Sequence, residues 1–391
     1  MTTKKGVWNL QQTRDKQLQS LWSYFDLSVG NGELYTWGSN ERGTLALNDR
    51  TYRSSPTQVG SGTDWSRLIR AGYSNNGAGA IKSDGTLWVW GRNDKGQFGE
   101  KQSGNTDYSS PVQIPGSWTY GAASIDAMLA VNTSGELWSW GGSGGGALGQ
   151  NSNVSYSSPV QIPGTDWVDV SGGYEVAAAV KTSGQLWMWG NNYKGNLGQN
   201  NKTNYSSPRQ VPGTTWTLSN NTNAGGNAQR FVKTDGSLWS WGYNAQGGLG
   251  HNNLTDYSSP VQVGSSTDWS TIGGDSYNGI GVKTDGTMWV WGKNEKGQLG
   301  QNQPQNSHYS SPVQIPGTTW VVGVFPNRKY AFATKTDGTL WSWGYGAFGF
   351  LGVNDRTQYS SPVQVPGIWS TKVNGIGGAV YNGYGIKPID S

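Results

Sequence analysis

Enzymes need reactive side chains held in fixed relation, and this sequence of 391 residues contains few of them. Cysteine is absent, which removes disulfides, thiol catalysis and cysteine metal sites. Histidine occurs 2 times. His251 stands where Gln150, Gln199 and Gln301 occupy the same place in a recurring phrase. His308 precedes Tyr-Ser-Ser-Pro, a place held elsewhere by Asp107, Ser155, Asn204, Asp256 and Gln358. Both read as loop variants, and a pair cannot supply a three-histidine zinc site. Gly141-Gly142-Ser143-Gly144-Gly145 fits a nucleophile elbow, and 142–147 fits a dinucleotide fingerprint. Each motif requires a helix directly after its turn, whereas the recurring phrase continues here as a loop. Gly292-Lys293 is followed by Asn294, so there is no P-loop. The sequence predicts no enzyme, no cofactor and no metal.

Recognition is the chemistry that the residues do suggest. The most variable sections between repeats read "RAGYSNNGAGA", "AASIDAMLA", "SGGYEVAAA", "SNNTNAGGNAQR", "GGDSYNGIG" and "GVFPNRKYAFA". They supply Tyr73, Tyr174, Tyr277, Arg328 and Tyr330, residue types favoured as interface anchors. Asn75, Asn76, Asp126, Glu175, Asn223, Asp275 and Asn327 add polar recognition. These residues are the candidate binding set, with a protein as the partner expected and a glycan as an alternative ligand. A second candidate lies at the start of the chain. In residues 7–25, Leu18, Leu21, Trp22 and Phe25 fall at helical spacing, which predicts an amphipathic docking segment. Trp8, Leu10, Leu18, Leu21 and Trp22 are its anchor residues.

What would position the variable sections is a repeat. The phrase L-W-x-W-G recurs at 34–38, 87–91, 137–141, 186–190, 238–242, 288–292 and 340–344, with Tyr35 replacing the first tryptophan and Met288 the leucine. Its second tryptophans step along the chain every 49 to 53 residues. Each phrase is followed by Ser-Ser-Pro-x-Gln and then by another tryptophan: Trp65, Trp118, Trp167, Trp216, Trp269, Trp320 and Trp369. Of the 22 tryptophans, all but Trp8 and Trp22 belong to this pattern. Turn residues such as Ser83-Asp84-Gly85 precede the phrase, a hairpin signature, and a short apolar run ending in Lys82 or its equivalents supplies the partner strand. No section of the repeats shows helical spacing over three turns. A unit of about 50 residues with about four short strands is the size of a propeller blade, and seven such sheets can close radially. The predicted fold is therefore all-β: a seven-bladed β-propeller of about four-stranded blades over 25–391, with 1–24 as a separate docking segment. The first unit has its hairpin over 25–38 but no strand led by tryptophan, and residues 369–387 supply one. Pairing of the N- and C-terminal segments should therefore close the ring.

"KSDGTLWVWGRNDKGQFG" (82–99), "KTDGTMWVWGKNEKGQLG" (283–300) and "KTDGTLWSWGYGAFGFLG" (335–352) resemble the regulator of chromosome condensation repeat. The likeness runs over about residues 25–387. It implies a seven-bladed propeller and a non-enzymatic binding role, shared among exchange factors, chromatin-binding proteins, ubiquitin-ligase modules and a bacterial β-lactamase inhibitor. The opening Gly6-Val7-Trp8-x-Leu10-Gln11 resembles the start of virion-associated proteins of tailed phages, marine ones in particular.

Composition narrows the partners. Residues 1–20 hold Lys4, Lys5, Arg14 and Lys16 against Asp15, so most of the net charge of +4 sits there and the ring is nearly neutral. That disfavours nucleic acid, whose partners carry a basic face. Charged residues make up only 13%. No run approaches the 18 or so apolar residues of a membrane span, and the opening segment lacks the apolar core of a secretory signal. These features predict a virion component made in the host cytoplasm, as a fibre, decoration or host-attachment protein. The alternatives are a secreted lectin- or inhibitor-like propeller and a cellular propeller of the exchange-factor or chromatin type.

Overall fold

The computed structural model describes residues 31–71, 77–99, 107–218, 226–303, 306–379 and 381–389. The anchor residues Trp8, Leu10, Leu18, Leu21 and Trp22, and the boundary between docking segment and ring, lie outside the described residues. Seven blades built on four antiparallel strands are present; blades 1 and 2 join in one sheet through Gly32 and Trp65, and Arg70–Ala71 adds a short parallel strand to blade 3. The third strands Leu87–Gly91, Leu137–Gly141, Leu186–Gly190, Leu238–Gly242, Met288–Gly292 and Thr339–Gly344 carry the W-x-W-G phrase in blades 2 to 7. In each of these blades the innermost strand opens on a tryptophan, the second ends in Lys or Asn, and the outer strand carries Ser-Ser-Pro. Innermost strands lie side by side around the centre, Trp118–Ala123 against Trp167–Gly172 and Trp269–Gly274 against Trp320–Asn327.

Blade 1 closes the ring. Its third strand, Gly32–Gly38, pairs along its whole length with Asn382–Pro388 and on the other side with Arg53–Gln58; Ile376–Ala379 forms the innermost strand. The chain's two ends therefore share one sheet, as expected. One detail is corrected: both edges of Gly32–Gly38 are taken, so the hairpin expected over 25–38 is instead a pairing with the C-terminal strand. The reason is register. Tyr384, Ile386 and Lys387 occupy the places that Gly79, Ile81 and Lys82 fill in blade 2, so the tail fits the site of a second strand.

The tryptophans explain why seven separate sheets form one body. The second tryptophan of each phrase is fully buried, and its indole N–H donates to a backbone carbonyl in the preceding blade. Trp90 reaches Thr44 O at 2.9 Å, Trp140 reaches Gln97 O at 2.7 Å, and Trp189 reaches Ala147 O at 2.9 Å. Trp241, Trp291 and Trp343 reach Asn196 O, Gly248 O and Gln298 O at 3.1, 2.8 and 2.7 Å. Trp37 completes the circuit, donating to Phe350 O at 3.0 Å. At six of the seven junctions a loop glycine stands two residues after the acceptor; after Thr44 that place is Ala46, also at positive φ (+57°). Gly352 has φ +73°, and a Cβ there would lie 2.8 Å from Trp37 Nε1, so a side chain is excluded twice over. The next loop residue ties down to the following outer strand, as where Asn354 N–H donates to Ser54 O at 2.8 Å.

The Asp-Gly turns have a further role. Asp84 Oδ1 accepts from the Thr86 N–H at 2.9 Å and hydroxyl at 2.7 Å, and that hydroxyl oxygen accepts from the Trp88 indole at 2.9 Å. The same relay runs through Asp235, Asp285 and Asp337. Hydrogen bonds from the following Thr or Ser hold all four carboxylates below their ordinary range. Blades 3 and 4 carry Ser-Gly-Glu and Ser-Gly-Gln instead, and the indoles of Trp138 and Trp187 have no acceptor among the described residues.

Trp343→Phe retains a large ring but leaves the Gln298 carbonyl without its donor. An unpaired buried polar group costs about 1–3 kcal/mol, so the urea midpoint should fall by a corresponding amount. An unchanged midpoint would show that ring packing alone joins the blades.

Candidate interaction surface

Among the described residues, the variable sections of blades 3 to 7 emerge on one face, because the backbone ties them to the residue after each Trp-Gly. Gly142 N–H donates to Asp126 O at 2.7 Å, Asn191 N–H to Glu175 O at 2.9 Å, and Tyr243 N–H to Asn227 O at 2.8 Å. Lys293 N–H reaches Tyr277 O at 3.2 Å, and Tyr345 N–H reaches Lys329 O at 2.8 Å. Tyr73, Asn75, Asn76 and Asn223 lie outside the described residues, and so does the side chain of Asn327.

The face divides into two parts. In blades 2 to 4 the candidates are engaged in polar contacts. Asp126 is half-buried 3.5 Å from Arg92, which also pairs with Asp94. Burial pushes the Asp126 carboxyl up, with Arg92 opposing. Glu175 accepts from Asn191 Nδ2 at 2.9 Å, and Tyr174 beside it is half-buried. In blades 4 to 7 the face is aromatic and cationic. Arg328, exposed, lies 4.4 Å over the Tyr277 ring, and Lys293 lies 5.3 Å from the same ring. Tyr277 meets Tyr243 edge-on at 5.7 Å. Lys194 sits 5.2 Å from the Tyr243 ring, while Lys296 and Lys329 flank Tyr345 at 5.7 and 5.2 Å. Tyr193 is 46% exposed and its hydroxyl accepts from Asn227 Nδ2 at 2.6 Å.

Two candidates are corrected. Tyr330 is 0% exposed; its ring stacks on Phe350 at 5.5 Å and its hydroxyl donates to Asn382 O at 3.1 Å. It opens a second strand rather than a loop, so it faces the neighbouring blade, and burial raises its pKa well above the phenol range. Asp275 is also buried. Its Oδ1 accepts from the N–H groups of Tyr277 at 2.6 Å and Asn278 at 2.9 Å. Burial pushes its carboxyl up to about 6.

Asp275 belongs with a residue that sequence reasoning missed. Arg230 is 2% exposed and stands at a second-strand position filled by Leu129, Ala178, Ile280 and Phe332 in other blades. Its guanidinium donates to Gly248 O through Nε at 2.9 Å and Nη2 at 2.5 Å, and to Asp275 O through Nη1 at 2.9 Å. Burial lowers its pKa to about 10 against the attraction of Asp275. The polar residue in an apolar register was the available signal. Tyr193, Tyr243, Lys293 and Tyr345 were missed for another reason: they lie in a loop read as part of the constant phrase, although its position after Trp-Gly varies between Ser39, Arg92, Gly142, Asn191, Tyr243, Lys293 and Tyr345.

The two histidines stand in hydrogen bonds that the repeat makes elsewhere with other residues. The His251 Nε2 lies 2.9 Å from Ser240 Oγ, matching the Gln150–Ser139 contact of 3.1 Å, and the His308 Nδ1 accepts from Asn294 N–H at 2.9 Å, as Asn204 and Asp256 accept elsewhere. Gly144–Gly146 is a single 3₁₀ turn, so the Gly-rich motifs lack their helix. Among the described residues no group of acidic and histidine side chains could hold a metal ion.

Residues 33–381 match the RCC1-like domain. The chain belongs to the RCC1-like domain family. The ultraviolet-B receptor UVR8 of Arabidopsis thaliana is 28% identical over 335 residues, 84% of this chain and 65% of the receptor. The E3 ubiquitin-protein ligase HERC2 of Homo sapiens is 29% identical over 133 residues, 31% of this chain and 3% of the ligase. The chain thus spans less than two thirds of either relative. Among solved RCC1-like structures, Prp20p of Saccharomyces cerevisiae gives a TM-score of 0.82 at 18% identity, covering 95% of each chain. Human WBSCR16 gives 0.76 at 17%, covering 91% of this chain and 99% of that one. These two share the RCC1-like fold.

Asp275 makes this propeller's stability depend on pH. Burial raises its folded-state pKa to about 6, above the ordinary carboxylate value of 3.8, so its contribution is fully present below about 4 and is lost as pH rises through about 6. Asp275→Asn removes that titration. The melting temperature of the variant relative to the parent should therefore rise between pH 4 and 7; a constant difference would place the titration elsewhere.

Proposed function

We propose that this protein is a non-enzymatic interaction propeller that holds a protein partner on its aromatic and cationic face, acting within a phage virion as a fibre, decoration or host-attachment component. The observation that carries the binding role is the belt Tyr193, Tyr243, Tyr277, Arg328 and Tyr345, whose rings are already ordered by stacked cations. Rigid aromatic and Arg anchors lose little freedom on binding, which is why they dominate interface energies. The charge of the belt is presented on ring faces rather than as a spread basic patch, and this favours protein over a phosphate backbone. Yeast Prp20p, of the same fold, is described as binding Gsp1p and histones, and was solved with Kap60. The virion assignment is supported by the opening Gly6-Val7-Trp8-x-Leu10-Gln11 and by the low-charge surface.

The test is made on gradient-purified particles from the source culture. Peptides of this chain should co-sediment at fixed stoichiometry with a capsid protein; recovery only in the soluble fraction removes the virion role. The double variant Tyr277→Ala, Arg328→Ala should reduce incorporation or receptor binding at least about tenfold, as loss of hot-spot anchors does, with little change in melting temperature. Wild-type binding by that variant would move the partner site off this face. Deleting residues 1–24 should leave the ring folded and abolish incorporation, and retention on particles would remove the anchor role from that segment.

A further inference from the structure

Away from the loop face, a cavity recurs where one blade meets the next. Three occur in the same register, at blades 1/2, 3/4 and 5/6, with volumes of about 460, 340 and 510 Å³. Each is walled by the tryptophan that opens the innermost strand, the lysine that ends the second strand and the first tryptophan of the repeated phrase. At blades 1/2 these are Trp65, Lys82 and Trp88, with the Lys82 ammonium 5.0 Å from both rings. A carboxylate neutralises the lysine: Asp64 lies 3.2 Å from Lys82, Asp166 3.0 Å from Lys181, and Asp268 3.2 Å from Lys283.

The connection entering the blade decides what each cavity holds. Into blade 4 it reads Ile162-Pro163-Gly164-Thr165-Asp166, and the Trp167 indole donates to Pro163 O at 3.2 Å. Into blades 2 and 6 it is one residue longer, Val59-Gly60-Ser61-Gly62-Thr63-Asp64 and Val263-Gly264-Ser265-Ser266-Thr267-Asp268. The proline carbonyl is lost, and the buried indole N–H groups of Trp65 and Trp269 have no acceptor among the described residues. In blade 6 the Ser266 hydroxyl donates to Asp268 Oδ1 at 2.7 Å and accepts from Lys283 Nζ at 2.7 Å. In blade 2 the same place is Gly62. A Cβ built there would lie 3.1 Å from Asp64 Oδ1, 3.5 Å from Trp65 Nε1 and 4.0 Å from Lys82 Nζ. Asp64 Oδ1, like the indole, is buried and has no partner among the described residues.

We infer that the cavity between blades 1 and 2 binds a neutral carbohydrate, one of whose hydroxyl groups takes the place that Ser266 Oγ occupies in blade 6. That hydroxyl donates to Asp64 Oδ1 and accepts from the Lys82 ammonium, beside the Trp65 indole, as the Ser266 hydroxyl does between Asp268 and Lys283. The chain itself demonstrates the chemistry, since a hydroxyl between carboxylate and lysine is what blade 6 builds internally. Lys82 and Asp64 cancel in charge, which selects a neutral ligand over an anionic one. Aromatic and proline walls at Trp88 and Pro111 suit the apolar face of a pyranose, and Asn48, Gln58 and Ser110 can meet further hydroxyls. The volume lies within the range of small-molecule sites. This site is separate from the protein-binding face, and neither reading depends on the other.

Saturation-transfer NMR on the full chain, with methyl α-mannoside, methyl β-glucoside, methyl β-galactoside and N-acetylglucosamine each at about 10 mM, tests it above a millimolar Kd. At least one sugar should receive saturation. Gly62→Ser supplies the hydroxyl from within, as Ser266 does, and Gly62 lies outside the left-handed region; the variant should keep its melting temperature and weaken binding at least about tenfold. Gly62→Ala should act likewise by filling the same spot, and Ser266→Gly should add a second site and raise the saturation. No transfer to any of the four sugars, or wild-type transfer in both Gly62 variants, would overturn the inference.

Discussion

The indole N–H of one blade's tryptophan bound to the backbone carbonyl of the blade before it is the contact on which the ring depends. It is made seven times, at blade junctions where the surrounding packing excludes water. A buried carbonyl must be paired or the fold loses stability, and tryptophan satisfies it while filling the wedge between sheets. Most of the loop glycines follow from this contact, because a Cβ at Gly352 would lie 2.8 Å from the Trp37 indole nitrogen; at one junction Ala46 holds the place. The contact also marks closure: Trp37 reaches Phe350 of blade 7 from the strand that pairs with Asn382–Pro388.

A scaffold held by repeated backbone contacts leaves its loops free to differ, and here they differ unevenly. Blades 2 to 4 present carboxylates engaged by Arg92 and Asn191, whereas blades 4 to 7 present tyrosines with cations on their faces. That asymmetry gives the ring one sector rich in aromatic and cationic side chains. The same scaffold accounts for the two histidines. Each titratable position on the repeat is used once per blade, so His251 and His308 replace a glutamine and an Asn or Asp in hydrogen bonds that the fold already required.

The exception is the Arg230–Asp275 pair. A guanidinium in an apolar register is tolerated because Gly248 O and Asp275 O accept from it and because Asp275 brings an opposing charge. Such pairs are costly to desolvate and weak evidence for added stability. Their physical consequence here is a buried guanidinium and carboxyl at the junction between blades 5 and 6.

Blade number, strand order, the tryptophan core and the shared terminal blade were legible in the sequence, because a repeat written seven times reports its own period and because alternating apolar and turn residues are local properties. Membership of the loops in one face was legible for the same reason. Which loop residues reach the surface was not. Tyr277 and Tyr330 look alike as letters, yet one lies on a turn between strands and the other begins a strand against Phe350. Nor could the sequence show that Gly62 stands opposite Asp64, Trp65 and Lys82, since that convergence joins a connection, an innermost strand and a second strand. Local pattern thus determined the architecture, while burial and the meeting of distant groups depend on how neighbouring blades pack, which tertiary structure alone decides.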